Sequence, residues 1–146
     1  MMIRSYQEED AQSCQQLLVE LGYPSQLGEL RERLTHLLAH PDYECLVYEE
    51  KGQVIGLLGY AKMYFFERSG TYIRILALVI DSRHRKKGIA TALLDRVQDI
   101  GKETACQVMA LNSGTGDKRQ AAHRFYEHYG FEQTSIGFAY QLEKSE

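Results

Sequence analysis

Arg85, Lys86 and Lys87 stand directly before Gly88, Ile89, Ala90 and Thr91, in the run Ser82-Arg83-His84-Arg85-Lys86-Lys87-Gly88-Ile89-Ala90-Thr91-Ala92-Leu93-Leu94. Three cations, a glycine and a helical pattern follow one another without a gap, and an apolar strand-like run, 73–80, comes just before them. That order makes an anion site. The first amides of a helix have no intrahelical acceptor, and the helix dipole places partial positive charge on them. A glycine at the entry lets a phosphate come close to the backbone. The chemistry expected here is the holding of a phosphorylated ligand, set against the plain alternative of a solvated basic turn.

The rest of the chain bounds what that ligand serves. The 146 residues are 44% hydrophobic and 25% charged, enough for one globular domain with a core of its own, so a single domain over 1–146 is expected. The net charge of −3 makes the cationic cluster a local feature and excludes bulk attraction to nucleic acid. No apolar run approaches the ~18 residues of a membrane span, and the polar, acidic opening argues against a signal peptide. Cys14, Cys45 and Cys106 are odd in number and far apart, with no CxxC or Cys/His spacing. Free thiols in a reducing, cytoplasmic compartment are expected, with no disulfide framework and no metal.

These residues need elements to position them. Apolar spacing predicts a short strand at 3–6, a helix after an N-cap at Asp10, and a second helix from about Ser25 that stops before Pro41. Strands are predicted at 45–48 and 54–63, joined by a hairpin turn at Glu50-Lys51-Gly52, and at 71–80, apolar on both faces after Arg74. A helix from Ile89 to near Gly101, a strand at 107–111, a helix at 118–129 closed by Gly130, and two short strands at 131–136 and 138–142 complete the chain. The expected fold is α/β (α+β), a central mixed sheet of six to seven strands flanked by about four helices. Gly114-Thr115-Gly116-Asp117-Lys118 has the look of a nucleotide loop but lacks the G-x-x-x-x-G-K-S/T spacing, which excludes nucleotide hydrolysis.

Two blocks together resemble a known family. The stretch Leu78-Val79-Ile80-Asp81-Ser82-Arg83-His84-Arg85-Lys86-Lys87-Gly88-Ile89-Ala90 resembles the acetyl-CoA signature R/Q-x-x-G-x-G/A of the GNAT N-acetyltransferases, with Ala90 as the final small residue. Farther on, Ala122-His123-Arg124-Phe125-Tyr126-Glu127-His128-Tyr129-Gly130-Phe131 is similar to that family's A-x-x-F-Y-x-x-x-G-F block. The likeness extends over essentially the whole chain. It implies an acetyl-CoA-dependent acyltransferase. Amides from Arg85 through Thr91 would hold the pyrophosphate, and backbone groups of Leu78 and Ile80 the pantetheine arm. An amide at Leu78 or Val79 would sit on the thioester carbonyl, and Tyr126 would be the proton donor to the sulfur.

Two departures stand out. Where many members of that family carry glutamate just before the core strand, this chain has Arg74, which leaves the general base open among Glu67, Glu44, Tyr72 and none at all. Where many carry asparagine three residues before the matched alanine, this chain has Arg119, and Asn112 is the candidate to supply the lost amide. His84 and His123 titrate in a range of interest but have bland roles as turn and helix residues. Tyr23, Tyr64, Phe65, Phe66, Tyr72 and Tyr140, with Glu67, suit an organic cation or else an aromatic core or dimer contact. The expected acceptor is a small primary amine, with no nucleic acid or membrane partner and a homodimer left open. A protein lysine or N-terminal acetyltransferase and a non-catalytic acyl-CoA sensor are the alternatives.

Overall fold

In the computed structural model, residues 1–85, 87–114 and 119–143 are described. The chain divides into two units, Met1–Leu111 and Asn112–Glu146. The first unit holds β1 (Met2–Ser5), α1 (Ala11–Leu21), α2 (Leu27–Leu38), β2 (Tyr43–Glu50), β3 (Gln53–Tyr64), β4 (Thr71–Ile80), α3 (Ile89–Glu103) and β5 (Met109–Leu111). The five strands form one sheet in the order β1-β2-β3-β4-β5, antiparallel up to β4, with β5 parallel to β4.

Helices cover both faces of that sheet. On one face, Cys14 and Leu17 of α1 and Leu30 of α2 pack against Val47, Val54, Leu57 and Val79. On the other, α3 buries Ile89, Leu93, Leu94 and Val97. Gly56 of β3 is where α3 comes closest. A methyl group there would lie 3.0 Å from Ile80 Cδ1 and 3.3 Å from Ile89 Cγ2, so the missing side chain sets how near the first turn of α3 sits to the sheet. The β2–β3 hairpin turns through Lys51 (φ 52°) and Gly52 (φ 76°), the two positive φ angles that a type I′ turn requires.

Asp10 precedes α1, as expected of an N-cap, but its carboxylate is used elsewhere. It accepts from Arg4 Nη1 at 2.7 Å, Arg4 Nη2 at 2.9 Å and the Gln7 backbone N–H at 2.8 Å. Arg4 also reaches Glu49 on β2. The Arg4 guanidinium holds the Asp10 carboxyl below the usual carboxylate range. A depressed folded pKa contributes stability that is whole above the ordinary value near ~3.9 and is lost as pH falls through the folded one. Asp10→Asn is therefore expected to lower the denaturant midpoint at pH 7, with the two proteins converging in strong acid. The cost at neutrality is about 2–3 kcal/mol, below the roughly 3–5 kcal/mol of a fully buried pair because the Arg4 side chain is 22% exposed. A midpoint difference that stays constant with pH would count against this account.

The second unit contains α4 (Gln120–Tyr129), closed at Gly130, where the N–H groups of Gly130 and Phe131 both reach the Tyr126 carbonyl, at 3.1 and 2.9 Å. The expected start of this helix at Lys118 lies outside the described residues. The expected strands at 131–136 and 138–142 are not found. These residues pair with no strand among the described residues, and Ile136, Phe138, Tyr140 and Leu142 are exposed. An alternating pattern states which residues would share a face; it does not supply the neighbour that a ladder needs. Among the described residues the sheet accordingly has five strands, not six or seven.

Candidate functional site

The site begins with a surplus residue. β3 and β4 run in register from Tyr64↔Thr71 to Tyr60↔Ile75 and again from Gly59↔Ala77 to Gly56↔Ile80, so Leu76 is left over as a bulge. β5 pairs with Ile73, Arg74 and Ile75, and the pairing ends there. Beyond the bulge, the second edge of β4 has no strand partner among the described residues. Which groups line that edge follows from alternation. The Asp81 N–H bonds the Ile55 carbonyl at 2.8 Å, so the pairs Val79/Leu57 and Ala77/Gly59 also face inward between the strands. Leu78 and Ile80 therefore present their N–H and C=O groups to the open edge, and the Val79 amide is turned toward β3. Of the two amides expected at a thioester carbonyl, Leu78 is the one with the right direction.

The open edge runs into a turn held by two carboxylates. Asp81 accepts from the Arg83 N–H at 2.9 Å, Nε at 3.1 Å and Nη2 at 2.8 Å. These bonds hold the Asp81 carboxyl far below the usual carboxylate range. Glu20, at the end of α1, accepts from both the N–H and the hydroxyl of Ser82, each at 3.0 Å. The His84 ring turns its Nδ1 toward Asp81 at 3.7 Å. Arg83 is thus engaged with Asp81, whereas Arg85 and Lys87 are exposed beyond the turn. Lys86 lies outside the described residues.

Gly88 then opens α3 as its N-cap, with φ 79°. No side chain caps this helix, so the amides of Ile89, Ala90 and Thr91 have no intrahelical acceptor. A Cβ built on Gly88 would meet nothing within 4 Å. An uncapped helix start, open space in front of it and exposed cations beside it make a cradle that fits a diphosphate. Leu78, Ile80, Arg85, Gly88, Ile89, Ala90 and Thr91 are thus brought into one continuous path along β4, the turn and α3.

Asn112 and Tyr126 belong to the second unit and are described within it. Asn112 is exposed at its start. Tyr126 is half-buried, its ring 5.5 Å from Phe125 and 5.8 Å from Phe131. Burial pushes its phenol upward, with Arg119 pulling the other way, so it keeps its proton at neutral pH. Its hydroxyl has no hydrogen-bond partner among the described residues. His123 is engaged with the Gly114 carbonyl at 2.8 Å, a structural use.

The base candidates are not brought together. Glu44 sits opposite Tyr60, in the cross-strand row of Ile75, and bonds the Cys45 amide at 3.0 Å. Tyr72 lies on the other face, its ring 4.8 Å from Phe65. Glu67 is exposed in the β3–β4 connection. Among the thiols, burial raises Cys14 to about 12 and pushes Cys45 up as well, which removes both as nucleophiles near neutrality. Cys106 sits 3.5 Å from the hydroxyls of Thr71 and Thr104. No cluster of metal-ligating side chains and no helix long and apolar enough to cross a membrane occurs among the described residues.

Glu20 went unnoticed in the sequence, because its partner Ser82 is 62 residues away. The signal at Gly56, a lone glycine within an apolar strand, was there to be read.

The model of the Acetyltransferase (GNAT) family matches residues 7–131. No curated protein matches the chain. Among solved structures, a GNAT family acetyltransferase from Staphylococcus aureus subsp. aureus USA300_TCH1516 is 33% identical, with 97% of this chain and 98% of that one covered and a TM-score of 0.83. An aminoglycoside 6'-N-acetyltransferase from Acinetobacter haemolyticus shares the fold at 17% identity, TM-score 0.83, over 99% and 100% of the two chains. A glucosamine-6-phosphate N-acetyltransferase from Arabidopsis thaliana does so at 22% identity, TM-score 0.80, over 97% and 98%.

Proposed function

Because this chain belongs to the GNAT acetyltransferase family, we propose that it moves an acetyl group from acetyl-CoA directly to the primary amine of a small molecule. One observation carries this reading: the edge of β4 is freed at Leu76 and leads into the uncapped start of α3. One N-acetyltransferase domain over 1–146 is part of the proposal, supported by a family match that runs across both units.

Acetyl-CoA, when bound, would supply a thioester whose C–S bond is exchanged for a C–N bond to the amine. The amides of Ile89, Ala90 and Thr91 would hold its pyrophosphate, with Arg85 and Lys87 as cations at the mouth. Leu78 and Ile80 would pair with its amide-bearing arm as a strand edge pairs with an added strand. The Leu78 N–H would donate to the acyl oxygen as charge grows there. Asn112 would contribute a side-chain amide to the same arm. Tyr126 would hold a proton on Oη for the departing sulfur. The acceptor would enter as neutral amine, and its surplus proton would leave to solvent, as no one of Glu44, Glu67 and Tyr72 is singled out as a base.

The test is a thiol-release assay with acetyl-CoA and a panel of small amines and peptides. Release that depends on a small amine, with no acetylated protein seen by mass spectrometry, is the expected result. Coenzyme A binding with no release across the panel would leave a sensor, and release with peptides alone would leave a protein acetyltransferase.

A further inference from the structure

Arg74 is a cation with no counter-ion among the described residues. It is half-buried on β4, and no carboxylate pairs with it among the described residues. A half-buried guanidinium loses part of its hydration, and a buried charge is normally paired. Its face is fixed by its neighbours. Ile73 turns toward α3, where its Cδ1 would lie 3.1 Å from a methyl group on Gly101. Arg74 therefore faces the opposite side, together with Tyr72. The apolar cluster with α1 and α2 on that side takes only Ala77 and Val79 from β4, so it stops short of Arg74.

The surroundings carry the same sign. The Arg68 guanidinium carbon lies 4.0 Å from the centroid of the Phe65 ring, and that ring is 4.8 Å from Tyr72. The aromatic pair on this face, Phe65 with Tyr72, therefore already has a cation of this chain over it. An incoming cation would meet repulsion, and an incoming anion would find an unpaired guanidinium.

We propose that the acceptor carries an acidic group, a carboxylate, phosphate or phosphonate, and that Arg74 binds it. The proposal rests on the acetyl-transfer reading and names its acceptor class. At about 3.3 Å per residue, the four steps from Arg74 to Leu78 span at most roughly 13 Å. The acidic group and the amine therefore belong to one compact molecule.

Matched acceptors test this in the full-length protein. O-phosphoethanolamine against ethanolamine, and β-alanine against β-alaninamide, should show kcat/KM about 10- to 100-fold higher for the acidic member, the range for a hydrogen bond to a charged group. Arg74→Gln should remove that preference and leave the acetyl-CoA KM unchanged. Arg74→Lys, which keeps the charge and loses the planar fork, should restore part of it. Calorimetric binding of O-phosphoethanolamine to the wild type and to Arg74→Gln gives a readout that needs no turnover. Should no amine release thiol while this binding depends on Arg74, the transfer reading fails and the anion site stands. Equal turnover of acidic and neutral acceptors, an equal loss of both in Arg74→Gln, or no Arg74-dependent binding would overturn the proposal.

Discussion

Tyr126→Phe is expected to lower kcat by about 100-fold or more, the lower end of what a positioned proton donor contributes, with coenzyme A affinity and melting temperature near those of the wild type. The separation follows from the site. The ring contacts with Phe125 and Phe131 survive the substitution, and the hydroxyl has no partner among the described residues to lose. What disappears is a proton on Oη. Burial raises the phenol above its ordinary value near ~10. The alkaline limb of the wild-type pH–rate profile assigned to it should therefore lie above that value and be absent in the variant. Single-turnover kinetics with a saturating amine provide the measurement. Unchanged turnover would remove Tyr126 from the chemistry.

Gly88 should respond in the opposite sense. At φ 79° an L-residue is strained by about 1–2 kcal/mol, so Gly88→Ala should cost the fold roughly that much. The larger effect is at the cofactor. The new methyl group would stand in the open space before the amides of Ile89, Ala90 and Thr91, where the pyrophosphate is proposed to lie. The acetyl-CoA KM should rise by about 10- to 100-fold, the equivalent of one or two charge-assisted hydrogen bonds, while kcat at saturation changes little. Gly88→Val should be more severe in both respects. Calorimetric titration with coenzyme A, alongside thermal melts, checks it. Tight binding retained in Gly88→Ala would place the phosphates elsewhere.

Much of this candidate site was legible in the sequence. The bounds of β4, the hairpin turn at Lys51-Gly52 and the helix beginning at Ile89 coincide with those expected from pattern and turn chemistry. These are local matters, decided by residues within one turn or one strand. The bulge was not legible. Where a strand is apolar on both faces, as Ile75-Leu76-Ala77-Leu78-Val79-Ile80 is, the period of two disappears and a surplus residue leaves no mark. The direction of the Val79 amide depends on that bulge, so the choice between Leu78 and Val79 stayed open in the sequence. Long-range pairings were equally silent: nothing near Ser82 announces Glu20, and nothing near Asp10 announces that Arg4 takes its carboxylate. At 131–142 the alternation was legible and a pairing partner was not, because a strand is a relation between two segments and a pattern belongs to one.

The bulge at Leu76 also sets a rule for what this scaffold tolerates. β4 is one residue longer than the stretch of β3 it faces, and the excess is absorbed where β5 lets go. Deleting Leu76 would heal the ladder and keep Ile73, Ile75, Ile80 and Val79 on the faces they now occupy, so the core would lose nothing. β4 would then be straight, and its outer edge would keep one phase of N–H and C=O groups from end to end. The free edge of β4 beyond Ile75 is in that sense a mismatch in length. A shorter β4 would make a more regular sheet and, on the proposed function, would remove the free edge offered to the pantetheine arm.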